Sequence, residues 1–139
     1  RMINDCDVNY PNTNFVYATA IDAMRAVFEM NEIKSINFDV KLKEFNSHVR
    51  LIVEAENDIF GPQPYLALKT KNNDYVWQNF DFEAKNKWSY SFDSHNILID
   101  QIDSIGIAAN TASGVTEIIN LHPKTGGQKK TILNGYSNK

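Results

Sequence analysis

Residues 36–56 read INFDVKLKEFNSHVRLIVEAE, two runs of alternating side chains on either side of the turn pair Asn46 and Ser47. Successive side chains of a strand point to opposite faces. In the first run Ile36, Phe38, Val40 and Leu42 therefore share one side, and Asn37, Asp39, Lys41 and Lys43 the other. In the second, Val49, Leu51, Val53 and Ala55 face inward, with Arg50, Ile52 and Glu54 outward. Both runs have the period of a half-buried strand.

The same period continues downstream. After the breakers Gly61, Pro62 and Pro64, PYLALKT sets Leu66 and Leu68 against Tyr65, Ala67 and Lys69. The turn signal KNND leads into DYVWQNFDFE, where Val76, Phe80 and Phe82 form one row and Tyr75, Trp77, Asn79 and Asp81 the other. KWSYSFD buries Trp88, Tyr90 and Phe92 and exposes Ser89 and Ser91. IDQIDSIGIAA gives Ile102, Ile105 and Ile107 to the core, with the small Gly106 and Ala108 on the alternate face, and GVTEIINLH ends the body before Pro123. Seven or so short strands separated by turns specify an all-β fold, an antiparallel β-sandwich.

Upstream, AIDAMRAVFEMNEI fits two patterns. As a helix it places Ile21, Met24, Val27 and Phe28 on one stripe with Asp22 in the first turn; as a strand, RAVFEM turns Ala26, Phe28 and Met30 inward. The strand is the preferred reading because every later element is β, and a short N-terminal helix is the alternative.

The 139 residues suffice for one domain with a real core, and no apolar run is long enough to span a bilayer. The N-terminus also lacks the apolar segment of a signal peptide. The last sixteen residues carry four lysines and no acid, leaving −7 on residues 1–123, four below the −3 of the whole chain. So acidic a body is a poor partner for nucleic acid, whose binding needs a basic surface. Residues 1–123 are read as the sandwich and 124–139 as a basic, Gly-containing tail or linker. Cys6 is the single cysteine, so no intrachain disulfide forms.

If the strands lie in one sheet, Arg50, Glu54, Tyr65, Lys69, Tyr75, Trp77 and Asn79 line one outward surface. Aromatic planes stack on the C–H face of a sugar ring, while amide, guanidinium, ammonium and carboxylate groups satisfy its hydroxyls. A bland alternative is that these aromatics follow strand propensity or pack beneath a loop.

The run WSYSFDSHNILIDQIDSIGIAANTASGVTEIINL, residues 88–121, resembles the C-terminal half of the β-sandwich (jelly-roll) carbohydrate-binding modules attached to bacterial glycoside hydrolases. An aromatic strand (Trp88, Tyr90, Phe92) precedes a segment of the form I-x-x-I-G-I (Ile102, Ile105, Gly106, Ile107) and a last strand from Thr116 to Leu121; INFDVKL and VRLIVEAE also fit the type. The resemblance spans about residues 33–122 and lies in packing rather than in a catalytic signature. It implies an extracellular or secreted module that binds a polysaccharide or oligosaccharide without catalysis and holds an attached enzyme near its substrate. Trp77, Tyr75 and Tyr65 would then be the stacking platforms, and Arg50, Lys69, Asn79 and Asp81 the groups that orient hydroxyls. No cofactor is required for such binding. A structural calcium ion is the one metal the resemblance suggests, with Asp5, Asp7 and Glu117 as oxygen donors.

Motifs for other chemistry are missing: HExxH, GxSxG, GxGxxG, a Walker loop and a cysteine pair for zinc do not occur. His48, His95 and His122 are widely spaced, each in or beside a turn, and Cys6 has no basic neighbour to activate it. Asp81 and Glu83, two apart on one strand face, have the spacing of a glycosidase acid–base pair, yet a solvated carboxylate pair is the commoner occurrence. Docking of a protein partner on the same aromatic face is the reading from a different class.

Overall fold

The computed structural model describes residues 12, 17–27, 34–46 and 48–134, in two compact units, residues 1–32 and 33–139. Among the described residues of the first unit lies one helix, α1 (Ala20–Val27). The preferred strand reading is corrected here. The Thr19 hydroxyl accepts from the Asp22 backbone N–H at 3.2 Å and donates to the Asp22 carboxylate at 2.6 Å, while the Thr19 carbonyl accepts from Ala23 N–H at 2.9 Å. This reciprocal cap satisfies donors that a helix otherwise leaves open at its start, and Arg25 adds an ion pair to Asp22 one turn on. Phe28 and Met30 of the strand reading lie outside the described residues.

The described residues of the second unit form nine strands: β1 (Phe38–Phe45), β2 (His48–Ala55), β3 (Tyr65–Thr70), β4 (Tyr75–Gln78), β5 (Asp81–Ala84), β6 (Lys87–Phe92), β7 (Ile102–Asn110), β8 (Val115–His122) and β9 (Gly127–Asn134). They form two antiparallel sheets, β1-β2-β6-β5 and β4-β3-β7-β8-β9. The first two strands pair with each other through the turn at Asn46, Val40 opposite Val53 and Leu42 opposite Leu51. One core joins the sheets: Leu51, Val53, Trp88 and Phe92 from the first meet Leu66, Leu68, Ile105, Ile107 and Leu121 from the second. The all-β antiparallel sandwich expected from the sequence is the fold observed.

Asparagine closes several turns. Asn73 and Asn86 take positive φ, a conformation its short polar side chain tolerates, in the β3–β4 and β5–β6 connections. The expected tail is corrected in part. Residues 127–134 form β9, paired with β8 from Val115 opposite Asn134 to His122 opposite Gly127. Pro123 therefore begins a hairpin rather than ending the body, and Gly126, at φ 64°, makes the turn. Gln128 of β9 reaches the other sheet, donating to the Val40 carbonyl at 2.9 Å, while Lys130 pairs with Glu117 of the adjacent strand β8.

The stretch DYVWQNFDFE does not form one strand. Its first part is β4, at one edge of the five-stranded sheet, and its last part is β5, at one edge of the four-stranded sheet. Asn79 and Phe80 make the crossing. Phe80 is buried, its N–H donates to the Gln63 side chain at 2.9 Å, and the Gln63 amide donates to Asn79 at 3.0 Å. Phe82, expected in the core, sits opposite Trp88 but is 71% exposed, because β5 is an edge strand with nothing beyond it. Ser89, expected outside, is 1% exposed, covered by Glu83, whose carboxylate accepts its hydroxyl at 2.6 Å.

Candidate functional site

The crossing at Asn79–Phe80 divides the predicted surface in two. Arg50, Glu54 and Asp81 lie on the outer face of the four-stranded sheet, whereas Tyr65, Lys69, Tyr75 and Trp77 lie on the outer face of the five-stranded one. Asn79 stands between, its side-chain oxygen occupied by Gln63. Arg50 and Asp81 therefore do not converge with the aromatic residues.

The four-stranded face is laced with ion pairs. Lys41 pairs with Asp39, Lys87 with Glu54, and Arg50 with Glu83 at 2.9 Å. A hydrogen bond from Lys87 holds the Glu54 carboxyl below its ordinary pKa, and the bond to Asp39 raises that of Lys41. Such pairs satisfy one another and leave little for a ligand. Glu83, one of the two carboxylates with glycosidase spacing, is engaged by both Arg50 and Ser89.

The five-stranded face has another character. Cross-strand registers set Trp77 beside Ala67 and Ala67 beside Gly106; Tyr75 lies beside Lys69, and Tyr65 beside Ala108. Directly opposed residues share a face, so three aromatic side chains border a shallow strip of Ala67, Gly106 and Ala108. Tyr65, Tyr75 and Trp77 are 60%, 77% and 64% exposed. Tyr75 and Trp77, two residues apart on one strand, are spaced by ~7 Å. That exposure removes one part of the bland alternative: among the described residues no loop covers Trp77.

Polar groups stand beside this strip. Lys69 pairs with Asp103 at 3.4 Å, and the register shift in the β3–β7 pairing, which sets Lys69 opposite Ser104 but Thr70 opposite Ile102, leaves Asp103 without a partner residue there. Ser104 follows on the outer face, and Asn120, opposite Gly106, continues the row on β8. Asp103, Ser104 and Asn120 were not among the residues the sequence singles out for the site. The small residues at 106 and 108 are the signal that was visible, since an outward row without side-chain bulk leaves room beside the aromatics.

Glu117, expected from the resemblance to hold calcium, is fully buried. Its carboxylate accepts from the backbone N–H groups of Asn37 and Phe38, each at 2.9 Å, and from Lys130 at 2.9 Å. Both oxygens are thus committed to protein donors. Asp5 and Asp7 lie outside the described residues, and among the described residues no three His, Cys, Asp or Glu side chains are grouped to hold a metal. No described helix is long and apolar enough to cross a membrane. Compared with protein-family models, curated proteins and solved structures, the chain gives no match.

Proposed function

We propose that this chain binds a polysaccharide noncovalently on the outer face of its five-stranded sheet, as an extracellular module that keeps an attached enzyme close to its substrate. The observation that carries the reading is the exposure of Tyr65, Tyr75 and Trp77 around the Ala67–Gly106–Ala108 strip. Pyranose rings stack on the aromatic planes, and the strip lets the sugar chain approach the sheet. Lys69, Asp103, Ser104 and Asn120 offer donors and acceptors to hydroxyls that lose water on binding. Arg50 and Asp81 have no part in this site.

Rigid aromatics lose little conformational entropy when they bind, but an open face leaves much of the ligand in water. Affinities of about micromolar to millimolar follow. Linkage to an enzyme converts such weak binding into a high local substrate concentration.

Affinity electrophoresis of wild type and Trp77→Ala through mannan, xylan, β-glucan and xyloglucan tests the reading. Retardation by one glycan is expected, and the mutant should lose it while its stability changes by no more than about 0.5 kcal/mol, as befits an exposed site. Failure of every glycan to retard the wild type would reject the reading and leave the face as a docking surface for protein.

A further inference from the structure

One end of the sandwich, remote in sequence from the aromatic strip, carries two adjoining clefts of about 220 and 190 Å³. They share Glu44, Val49, Ile99 and Asp100, so the two carboxylates stand where the clefts meet. We infer that this groove docks an extended segment of a protein partner in which a lysine or arginine lies two residues from an apolar one.

Charge and size select that occupant. Neither Glu44 nor Asp100 forms a hydrogen bond or ion pair among the described residues, although both border an apolar floor of Val49, Phe92 and Ile99. No lysine or arginine lines the larger cleft. A cation on an apolar stem meets both halves of this chemistry, its methylenes on the floor and its charge between the carboxylates.

Beside it the Phe45 and His48 rings stack 5.0 Å apart, and Phe45 is 49% exposed, a ring face on which a guanidinium or ammonium rests favourably. The smaller cleft has Lys124 in its wall, which repels a second cation and favours an apolar neighbour. Each cleft is smaller than the roughly 300–1,000 Å³ of small-molecule sites, but suits one side chain. Two side-by-side clefts on one surface therefore read side chains i and i+2 of an extended chain, which point to the same face. Leu98, 47% exposed at the rim, supplies further apolar contact.

The test is a titration of the ¹⁵N-labelled full chain with the blocked peptide acetyl-Ser-Lys-Ser-Leu-Ser-amide, in which the lysine and leucine share a face, followed by amide shifts. Saturable shifts confined to residues 42–49, 92, 97–100 and 124 are expected, unchanged by Trp77→Ala. Glu44→Gln and Asp100→Asn should each weaken binding by about tenfold or more, the scale of a hydrogen bond to a charged group. Both side chains are exposed, so these variants keep the fold. The inference is overturned if the peptide causes no shifts, if the double variant binds as well as wild type, or if a peptide with glutamine in place of its lysine binds equally. It is also overturned if butylammonium alone binds as tightly as the peptide, which would make the groove a site for free amines.

Discussion

Replacing Glu117 by alanine should be among the costliest single substitutions in this chain, and its cost follows from three contacts. The carboxylate is fully buried and accepts from Asn37 N–H, Phe38 N–H and Lys130, joining the start of β1 to β8 and β9. Alanine leaves two backbone donors without partners, at about 1–1.5 kcal/mol each because they lie near enough to the surface for water to replace part of the bond. The space vacated by the side chain adds about 1 kcal/mol, and the half-exposed Lys130 pair another ~0.5 kcal/mol. The total is about 4 kcal/mol, against whole-domain stabilities of roughly 5–15 kcal/mol. With a urea dependence of about 2 kcal/mol per M, the unfolding midpoint should fall by about 2 M. Glu117→Gln keeps one acceptor but turns a donor toward another donor, so about half that loss is expected. A midpoint shift under about 0.5 M for Glu117→Ala, or equal losses for the two variants, would show that these hydrogen bonds do not organise the sheet junction.

Other outcomes follow from single positions. Gly106 has ordinary backbone geometry, and an added Cβ would meet only Ala67 atoms at 3.7 and 3.8 Å, so Gly106→Thr should fold with unchanged or slightly raised stability. The same variant narrows the strip beside Trp77 and should weaken glycan retardation by about tenfold, the 1.4 kcal/mol of one lost close contact. Thr19→Ala removes the cap of α1 and should cost that helix about 1 kcal/mol, read as faster amide exchange across Ala20–Val27. For Glu54, whose carboxyl Lys87 holds below its ordinary pKa, the stabilisation is complete above the unfolded-state pKa and lost as pH falls through the lower folded value. Carboxyl NMR titration should show the Glu54 midpoint rising in Lys87→Gln; an unmoved midpoint would remove Lys87 as the cause.

Much of this molecule is written in its alternation of side chains. The inward rows of β1, β2, β3 and β7 are legible because strand side chains alternate strictly, and Asn73 and Asn86 mark turns that need positive φ. The strand reading passed over Thr19, a threonine three residues before an acid, which caps the helix. What alternation does not encode is the sheet to which a strand belongs. Tyr75–Gln78 and Asp81–Ala84 share one period, yet the buried Phe80 and the Gln63 bonds carry the chain between sheets, which separates Trp77 from Arg50 and Asp81. Likewise the lysine-rich residues 127–134 read as a solvated tail until β8 offers an edge and Glu117 a buried counter-charge for Lys130. Local sequence thus determined most of the strands and their inward rows, because side-chain direction is a property of the backbone; only the tertiary structure decided which faces came together and that residues 127–134 pair at all, because that depends on partners as far apart as Asn37 and Glu117.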